Sequence, residues 1–480
     1  MRMNLLDICR LFNCACVGIR PECALMNPTG AAIDSRQVKE GDLFFCLPGE
    51  RVDGHDFART AMQKGALAII GTRNPLEGMD DGHWTAPVLL VPDVAAALAT
   101  LAVAHRATAS GVVIGVTGSS GKTSVKETLA SVLNVVGSTA KNPVNLNNQL
   151  GLPLSMLNAS EDAAYWVMEA GISRPHDMDE LGAILRPDVA LIINAGAAHV
   201  ENLGNRGVAH YKARLLAYIA NNGLGVVSAD YPDLEREAHS YDTDVIYFSA
   251  EDVEASFFAS YLGAAGLDRG NFHLRLDKDS VTVNAPFLGA YGAENVAAIG
   301  AVAHALGLTP SEIAAGFSAA SLPAQRFTTR ESGPYLVIDD SYNANPLSMM
   351  RMLDAAAGMA KDRNETLLLV LGEMKELGPD SPSYHYQLGR QAATLKPKAF
   401  FWKGEQGDEV EDGLRDAGYD GGFVRVADSD AFSDAWLAAN AHSGVVLFKG
   451  SRSNRLEELV VALSQLIEVD AKGKGRTDAV

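Results

Sequence analysis

The sequence predicts an α/β protein in three domains: a small N-terminal α/β domain, a central P-loop-type domain on a mostly parallel sheet, and a C-terminal Rossmann-like α/β domain. Three observations lead there. Short β-branched runs alternate with amphipathic helical stretches, the pattern of strands joined by crossover helices in a parallel sheet. The 480 residues suffice for about three domains of ordinary size. The alternation also restarts twice, near Ser110 and after Leu322-Pro323-Ala324-Gln325-Arg326, which reads as a hinge. The expected boundaries are 1–108, 109–325 and 326–469, with 470–480 as a flexible tail.

In the first domain, Leu5, Leu6, Ile8 and Leu11-Phe12 predict a short amphipathic helix, and Gly41 to Leu47 a buried strand. Pro48 to Phe57 forms a turn entering a helix that ends at Gly65. Ala66–Ile70 and Val88–Val91 are further strands, and Val94 to Ala107 a helix. The loop groups Ser35-Arg36 and Asp53-Gly54-His55 suit an anionic or sugar ligand, or simply turn chemistry and capping. In the second domain, strands are expected at Val112–Thr117, Ala164–Met168, Val189–Ile193 and Gly225–Ser228. Tyr231 to Ala285 reads as less regular, with one hairpin around Asp277-Lys278-Asp279. Helices follow at Tyr291–Leu306 and Pro310–Ala319. The third domain restarts with strands at Tyr335–Asp340, Leu367–Leu371 and Val445–Phe448, and Pro346 suits a first helical turn.

Composition narrows the function. With 47% hydrophobic and 21% charged residues the chain reads as globular. A formal charge of −19 opposes generic nucleic-acid binding, which needs basic surface. No apolar run approaches ~20 residues, so no membrane insertion is expected. Asp7 interrupts any signal-peptide pattern. Cys9, Cys14, Cys16, Cys23 and Cys46 form no paired metal spacing and read as thiols of a reducing compartment, so the expected location is cytoplasmic. No heptads signal self-association, and a monomer is the working expectation.

The chemistry centres on Thr117-Gly118-Ser119-Ser120-Gly121-Lys122-Thr123-Ser124, a Gly-rich turn between a strand and a helix. Backbone N–H groups in such a turn cradle phosphate, the Lys122 ammonium can reach a terminal phosphate, and the Thr123 hydroxyl can ligate Mg²⁺. The usual first glycine is absent, Val116 standing in its place. In a parallel sheet all strand C-termini share one edge, where ligands bind. Glu169, Asn194 and His199 each follow a strand end, so they can converge on the loop. A carboxylate and an imidazole beside a triphosphate suggest a second Mg²⁺; a helix-terminal acid and a loop histidine are the plainer readings.

Asp340-Ser341-Tyr342-Asn343-Ala344-Asn345-Pro346, Leu371-Gly372-Glu373-Met374-Lys375-Glu376-Leu377-Gly378 and Lys449-Gly450-Ser451-Arg452 carry a resemblance over nearly the whole chain. With the Asp34-Ser35-Arg36, Asp53-Gly54-His55 and Thr117–Thr123 pieces, the sequence resembles the Mur ligases, and the form of Ser341–Pro346 points to their dipeptide-adding branch. The resemblance implies an ATP-dependent amide ligase that activates a carboxylate as an acyl phosphate. It implies UDP-N-acetylmuramoyl-tripeptide and D-alanyl-D-alanine as substrates in peptidoglycan precursor synthesis. Ser35, Arg36, Asp53, Gly54 and His55 would hold the UDP-sugar-peptide. Thr117 to Ser124, Asn295, Arg326 and Asp340 would bind ATP, with Lys122 acting at the γ-phosphate. Two Mg²⁺ ions are implied, held by Thr123, Glu169, His199 and a carbamylated Lys212, with Lys122, His199 and Lys212 forming the catalytic set. Asn147, Asn148, Asn343, Asn345, Lys449, Ser451 and Arg452 would lie near the substrates. The chain departs from the family at Lys212-Ala213-Arg214, at Gln149 and at Tyr291, where Lys-Gly-Glu, Glu and His are usual. A related ligase with another acceptor, such as a glutamate-adding enzyme, and a nucleotide-binding regulator without ligase chemistry are the competing readings.

Overall fold

The computed structural model describes residues 1–49, 51–75, 86–143, 145–196 and 206–477, without the side chains beyond 469. Among the described residues the strands form three sheets. The first comprises Ala15–Val17 (β1), Gly30–Ala32 (β2), Asp42–Phe45 (β3), Ala68–Gly71 (β4) and Val88–Leu90 (β5), in the order β1-β5-β4-β3-β2. Only β1 runs antiparallel to its neighbour.

The second sheet is formed by Val112–Thr117 (β6), Thr139–Lys141 (β7), Tyr165–Glu169 (β8), Val189–Ile192 (β9), Leu224–Ser228 (β10), Asp244–Ser249 (β11), Phe257–Ala264 (β12), Gly270–Leu276 (β13) and Asp279–Ala285 (β14). Its order is β14-β13-β12-β11-β10-β9-β6-β8-β7. All pairings are parallel except β12–β13 and β13–β14. The buried parallel strands are near-continuous apolar runs because helices cover both faces. The segment expected to be irregular is therefore ordered: β11 to β14 extend the sheet. Small residues in Phe257–Ala264 break the alternation that would have marked β12, whereas β13 shows it and packs every second side chain inward.

The third sheet comprises Thr328–Ser332 (β15), Tyr335–Asp340 (β16), Leu367–Gly372 (β17), Ala399–Lys403 (β18), Gly422–Arg425 (β19) and Gly444–Lys449 (β20), in the order β15-β16-β20-β17-β18-β19. It is parallel apart from β15. The final helix runs Glu457–Thr477, so it crosses the stretch expected as a loose tail. Leu459, Val460 and Leu463 anchor its first turns against the sheet, and propagation beyond a packed start is cheap.

The first sheet does not have a core of its own on both faces. Leu43, Phe45, Ile70 and Leu89 share one apolar cluster with Leu98 and Leu101 of the helix Val94–Thr108, and with Leu152, Leu181 and Leu185 beneath the second sheet. The edge strand β2 is closed by a side chain: Asn158 Oδ1 accepts the Ala31 N–H (3.1 Å) and its Nδ2 donates to the Ala31 carbonyl (2.9 Å). Such capping removes an edge open to further pairing. The third unit has separate clusters on its two faces.

Candidate active site

Strand order dictates where the site lies. β6 sits between β8 and β9, and the chain leaves it in opposite directions, which opens a crevice at its C-terminal end. There Ser119 to Thr123 form the turn, and the helix Lys122–Leu133 begins. Its first-turn N–H groups have no helical acceptor and carry the positive end of the dipole. Gly121, at φ +80°, precedes the helix; a Cβ there would stand 2.8 Å from Asn295 Oδ1. Glycine thus satisfies the left-handed backbone and lets the Asn295 amide approach the loop.

A cavity of about 410 Å³ opens at this point. Of the residues singled out in the sequence, it brings together Ser119, Ser120, Gly121, Lys122, Thr123, Ser124, Asn147, Asn148, Glu169, Asn295, Arg326, Asp340, Asn343, Asn345 and Lys449. The wall is therefore built from both the second and third sheets. Two of its groups are buried without partners, the acceptor Asn295 Oδ1 and the donor Arg326 Nε. Unpaired buried polar atoms are costly, so a ligand with a donor and an acceptor of its own fits here. Arg326 also lies over the Tyr342 ring, 4.1 Å from its centroid.

Thr123 and Glu169 meet directly. The Thr123 hydroxyl donates to Glu169 Oε2 (2.8 Å), and Asn147 Nδ2 donates to Oε1 (2.7 Å). Hard oxygen donors this close fit Mg²⁺. His199 lies outside the described residues, and among the described residues no group of three His, Cys, Asp or Glu side chains could hold a metal ion. Lys122 and Lys212 both donate to the Gly118 carbonyl, at 2.8 and 2.9 Å. Lys212 is buried behind the loop rather than lining the cavity. Burial drives its ammonium well below the ordinary value, the Lys122 charge adds to this, and Glu169 opposes it. Thr117 is also buried behind the loop.

At the third sheet, Asp340 and Lys449 are register neighbours on β16 and β20. Lys449 Nζ donates to Asp340 Oδ2 (2.5 Å) and to the Asn343 carbonyl (3.0 Å). Asn345 caps the helix Pro346–Arg363 through the Ser348 N–H, and its Nδ2 reaches the Ser119 carbonyl (3.0 Å).

Other expected residues lie elsewhere. Ser451 is buried outside the cavity, where its Oγ accepts the Lys375 N–H (2.9 Å) and laces two loops together. Arg452 is largely exposed and pairs with Glu457 at 3.0 Å. Ser35, Arg36, Asp53, Gly54 and His55 belong to the first sheet and do not line this cavity. Arg36 pairs with Asp34. His55 is buried, with Nδ1 on Asp53 (2.6 Å) and Nε2 accepting the Thr72 N–H (3.0 Å). The His55 contacts hold the Asp53 carboxyl well below the usual carboxylate range, with Arg73 adding to them. The five cysteines are free, and burial pushes Cys9 and Cys46 up to about 12, where thiolate is scarce at neutral pH.

The three departures from the family pattern each have a local partner. Gln149 donates to Asp177 (2.6 Å), Arg214 grips Asp179 through Nε and Nη2, and Tyr291 packs edge-on against Phe327.

The loop Gly372–Met374 depends on His385, whose Nε2 accepts the Met374 N–H (3.0 Å) while Nδ1 faces the Ser381 carbonyl (2.7 Å). This pattern needs neutral imidazole, and burial pushes its pKa below the ordinary 6.5. The folded state then binds fewer protons than the unfolded one. Its contribution to stability is complete above the unfolded value and declines as pH falls through it toward the folded value. Melting scans should show Tm dropping between about pH 7.5 and 5.5, and His385→Gln should flatten that drop.

Sequence reasoning passed over Arg351, which lines the cavity from the middle of a helix. A lone helical arginine is ordinarily solvated, so no sequence signal marked it.

Comparisons with known proteins agree with this geometry. Residues 28–106 match the model "Mur ligase family, catalytic domain", residues 116–303 "Mur ligase middle domain", and residues 325–452 "Mur ligase, glutamate ligase domain". The chain is 33% identical to the UDP-N-acetylmuramoyl-tripeptide–D-alanyl-D-alanine ligase of Escherichia coli, over 90% of this chain and 93% of that one. It is 31% identical to the Bacillus subtilis ligase of the same name, over 90% and 92%. Among solved structures, MurF from Acinetobacter baumannii superposes with a TM-score of 0.83 at 28% identity, covering 97% and 98% of the two chains. MurF ligase from Thermotoga maritima in complex with ADP gives 0.78 at 29% identity, covering 93% and 100%. The chain belongs to the Mur ligase family.

Proposed function

We infer that this chain is the ATP-dependent ligase that joins D-alanyl-D-alanine to UDP-N-acetylmuramoyl-tripeptide, a cytoplasmic step of peptidoglycan precursor synthesis. The reading is carried by the cavity in which a phosphate loop and Asn295 face Asp340, Asn343, Asn345 and Lys449 of the next sheet. Similarity over nine-tenths of the chain to ligases of that name selects the substrates. A helix long and apolar enough to cross a membrane is absent among the described residues.

The substrate carboxylate attacks the γ-phosphorus of ATP and ADP leaves, giving an acyl phosphate. The dipeptide amine then attacks the acyl carbon, phosphate leaves, and an amide forms. The first step brings anions together, so donors preorganised at the phosphates supply most of the catalysis. Lys122 and the first-turn N–H groups of its helix are those donors. Asn295 and Arg326 orient the nucleotide, and Asp340 fixes Lys449 beside the acceptor. Thr123 and Glu169 would hold Mg²⁺, which when bound neutralises phosphate charge. Ser35, Arg36 and the Asp53–His55 loop would receive the UDP-sugar, with His55 shaping the loop from inside. Ser451 shapes the acceptor side in the same indirect way.

Phosphate release tests the reading. Release from ATP should require the UDP-sugar-tripeptide and rise with D-alanyl-D-alanine, with an amide product of matching stoichiometry. Release driven by glutamate instead would favour the glutamate-adding alternative, and release without any amide would sink both.

Lys212 is proposed to be carbamylated. Its depressed basicity favours the neutral amine, the form that adds CO₂ to give a carbamate and one proton; the carbamate oxygens would join Glu169 and His199 around a second Mg²⁺. Lys212→Ala should lose turnover and regain part of it with a short carboxylic acid. Trapping with ¹³C-labelled CO₂ should give a carbamate signal absent from the variant. Wild-type protein lacking that signal would refute the modification.

A further inference from the structure

The side chain of Asn194, just beyond β9, faces two ways. Its Oδ1 accepts the N–H groups of Ser119 (2.8 Å) and Ser120 (2.9 Å), while its Nδ2 donates to Glu294 Oε2 (2.8 Å) and to the Ser120 carbonyl (3.2 Å). Asn194 is fully buried and Glu294 nearly so. The same Glu294 oxygen accepts Nη1 of Arg351 (2.8 Å), whose Nη2 donates to the Tyr231 hydroxyl (2.8 Å). Glu294 stands on the helix Tyr291–Ala305 under the second sheet, and Arg351 on the helix Pro346–Arg363 of the third unit. From the N-terminus of that latter helix, Asn345 reaches the Ser119 carbonyl. Ser119 is thus held through its N–H by Asn194 and through its C=O by the third unit.

An amide can present its oxygen or its nitrogen to a neighbour, whereas an ionised carboxylate only accepts. Glu294 therefore holds the Asn194 nitrogen toward the helix Tyr291–Ala305 and leaves its oxygen for the Ser119 and Ser120 N–H groups. A buried carboxylate needs a cation beside it, and Arg351 supplies one from across the unit boundary. Without Arg351, Glu294 loses the partner that holds its accepting oxygen against Asn194 and no longer dictates the amide's orientation.

We propose that Glu294 and Arg351 are positioning residues: their ion pair orients Asn194, and through it shapes the phosphate loop for nucleotide when the helix Pro346–Arg363 is seated. This rests on the nucleotide reading above. The effect belongs to binding rather than to the chemical step, because neither side chain is needed at the reacting carbon or phosphorus.

Kinetics and calorimetry with ADP on Arg351→Leu, Arg351→Lys, Glu294→Leu, Glu294→Gln and the Leu/Leu double variant provide the test. Arg351→Leu and Glu294→Leu should each raise KM for ATP and Kd for ADP about tenfold, the consequence of one mis-set buried hydrogen bond. The kcat at saturating ATP should change far less. Arg351→Lys should restore most of the affinity, whereas Glu294→Gln, which loses the charge and can donate as well as accept, should weaken binding as the Leu variants do. The double variant should be no worse than the worse single one, because both act through Asn194. Losses that multiply in the double variant would mean Arg351 touches the nucleotide itself and would overturn the proposal. A fall in kcat at unchanged KM would overturn it too. The two Leu variants are compared only on the fraction folded by circular dichroism, and the Lys and Gln variants keep the test open if a Leu variant fails to fold. Wild-type protein that binds no ADP would instead remove the nucleotide reading.

Discussion

Lys122→Ala should lower the rate of amide formation by about 10³-fold, the usual cost of removing one preorganised donor from developing charge. The fold should not register the change. Lys122 is partly buried, its ammonium donates to the Gly118 carbonyl, and it belongs to none of the apolar clusters. Burial in the cavity lowers its ammonium below the ordinary value, with Arg326 adding to this and Glu169 opposing it. That environment suits a cation whose counter-charge arrives with the substrate. Single-turnover phosphate release and a melting scan on one preparation decide the matter: a near-normal rate would remove Lys122 from the γ-phosphate, and a large loss of Tm would make it a structural residue.

Lys449→Met should be costly in a different way. Lys449 is 2% exposed and bonds Asp340 and the Asn343 carbonyl. Removing one partner of a buried pair leaves the other charge uncompensated, at about 3–5 kcal/mol. Asp340 keeps some contact with water, its side chain being 18% exposed, so the lower end, about 3 kcal/mol, is expected. Denaturant titration measures it. Adding Asp340→Leu should return much of that stability, because apolar replacement of a buried pair is often neutral, while activity stays lost. Stability unchanged in Lys449→Met would show that the pair is idle in the resting fold.

Much of this site was legible because it is written locally. Thr117 to Thr123 lies within one turn, and Glu169 and Asn194 are strand-end residues whose meeting follows from parallel topology alone. Asp340 and Lys449 could be placed on one edge before their register was known. What remained hidden depends on pairing between distant segments. Arg351 matters only because Glu294, on another helix, is buried beside it. Ser451 and His55 carried the right residue types at the right turns, yet their polar atoms face inward to Lys375 and Thr72. The short strands Ala15–Val17 and Gly30–Ala32 escaped notice because three residues carry too little periodicity to separate strand from loop. Beyond Glu457, the helix follows from apolar anchoring that its polar end does not advertise.

The apolar cluster running from Leu43 and Phe45 through Leu98 to Leu185 bears on how this chain can be recombined. Cutting between the first two units would divide one hydrophobic interior and expose both halves to water, along with the β2 edge that Asn158 closes. The third unit has an interior on each face of its sheet; the one that takes in Leu288, with Tyr261, Leu267 and Tyr291 of the second unit at its border, is otherwise built from the unit's own residues. Chimeras between relatives should therefore fold when the crossover falls near Leu322–Arg326 and fail when it falls near Thr108. In material terms the molecule is two cassettes, one of them transplantable, although its sheets number three.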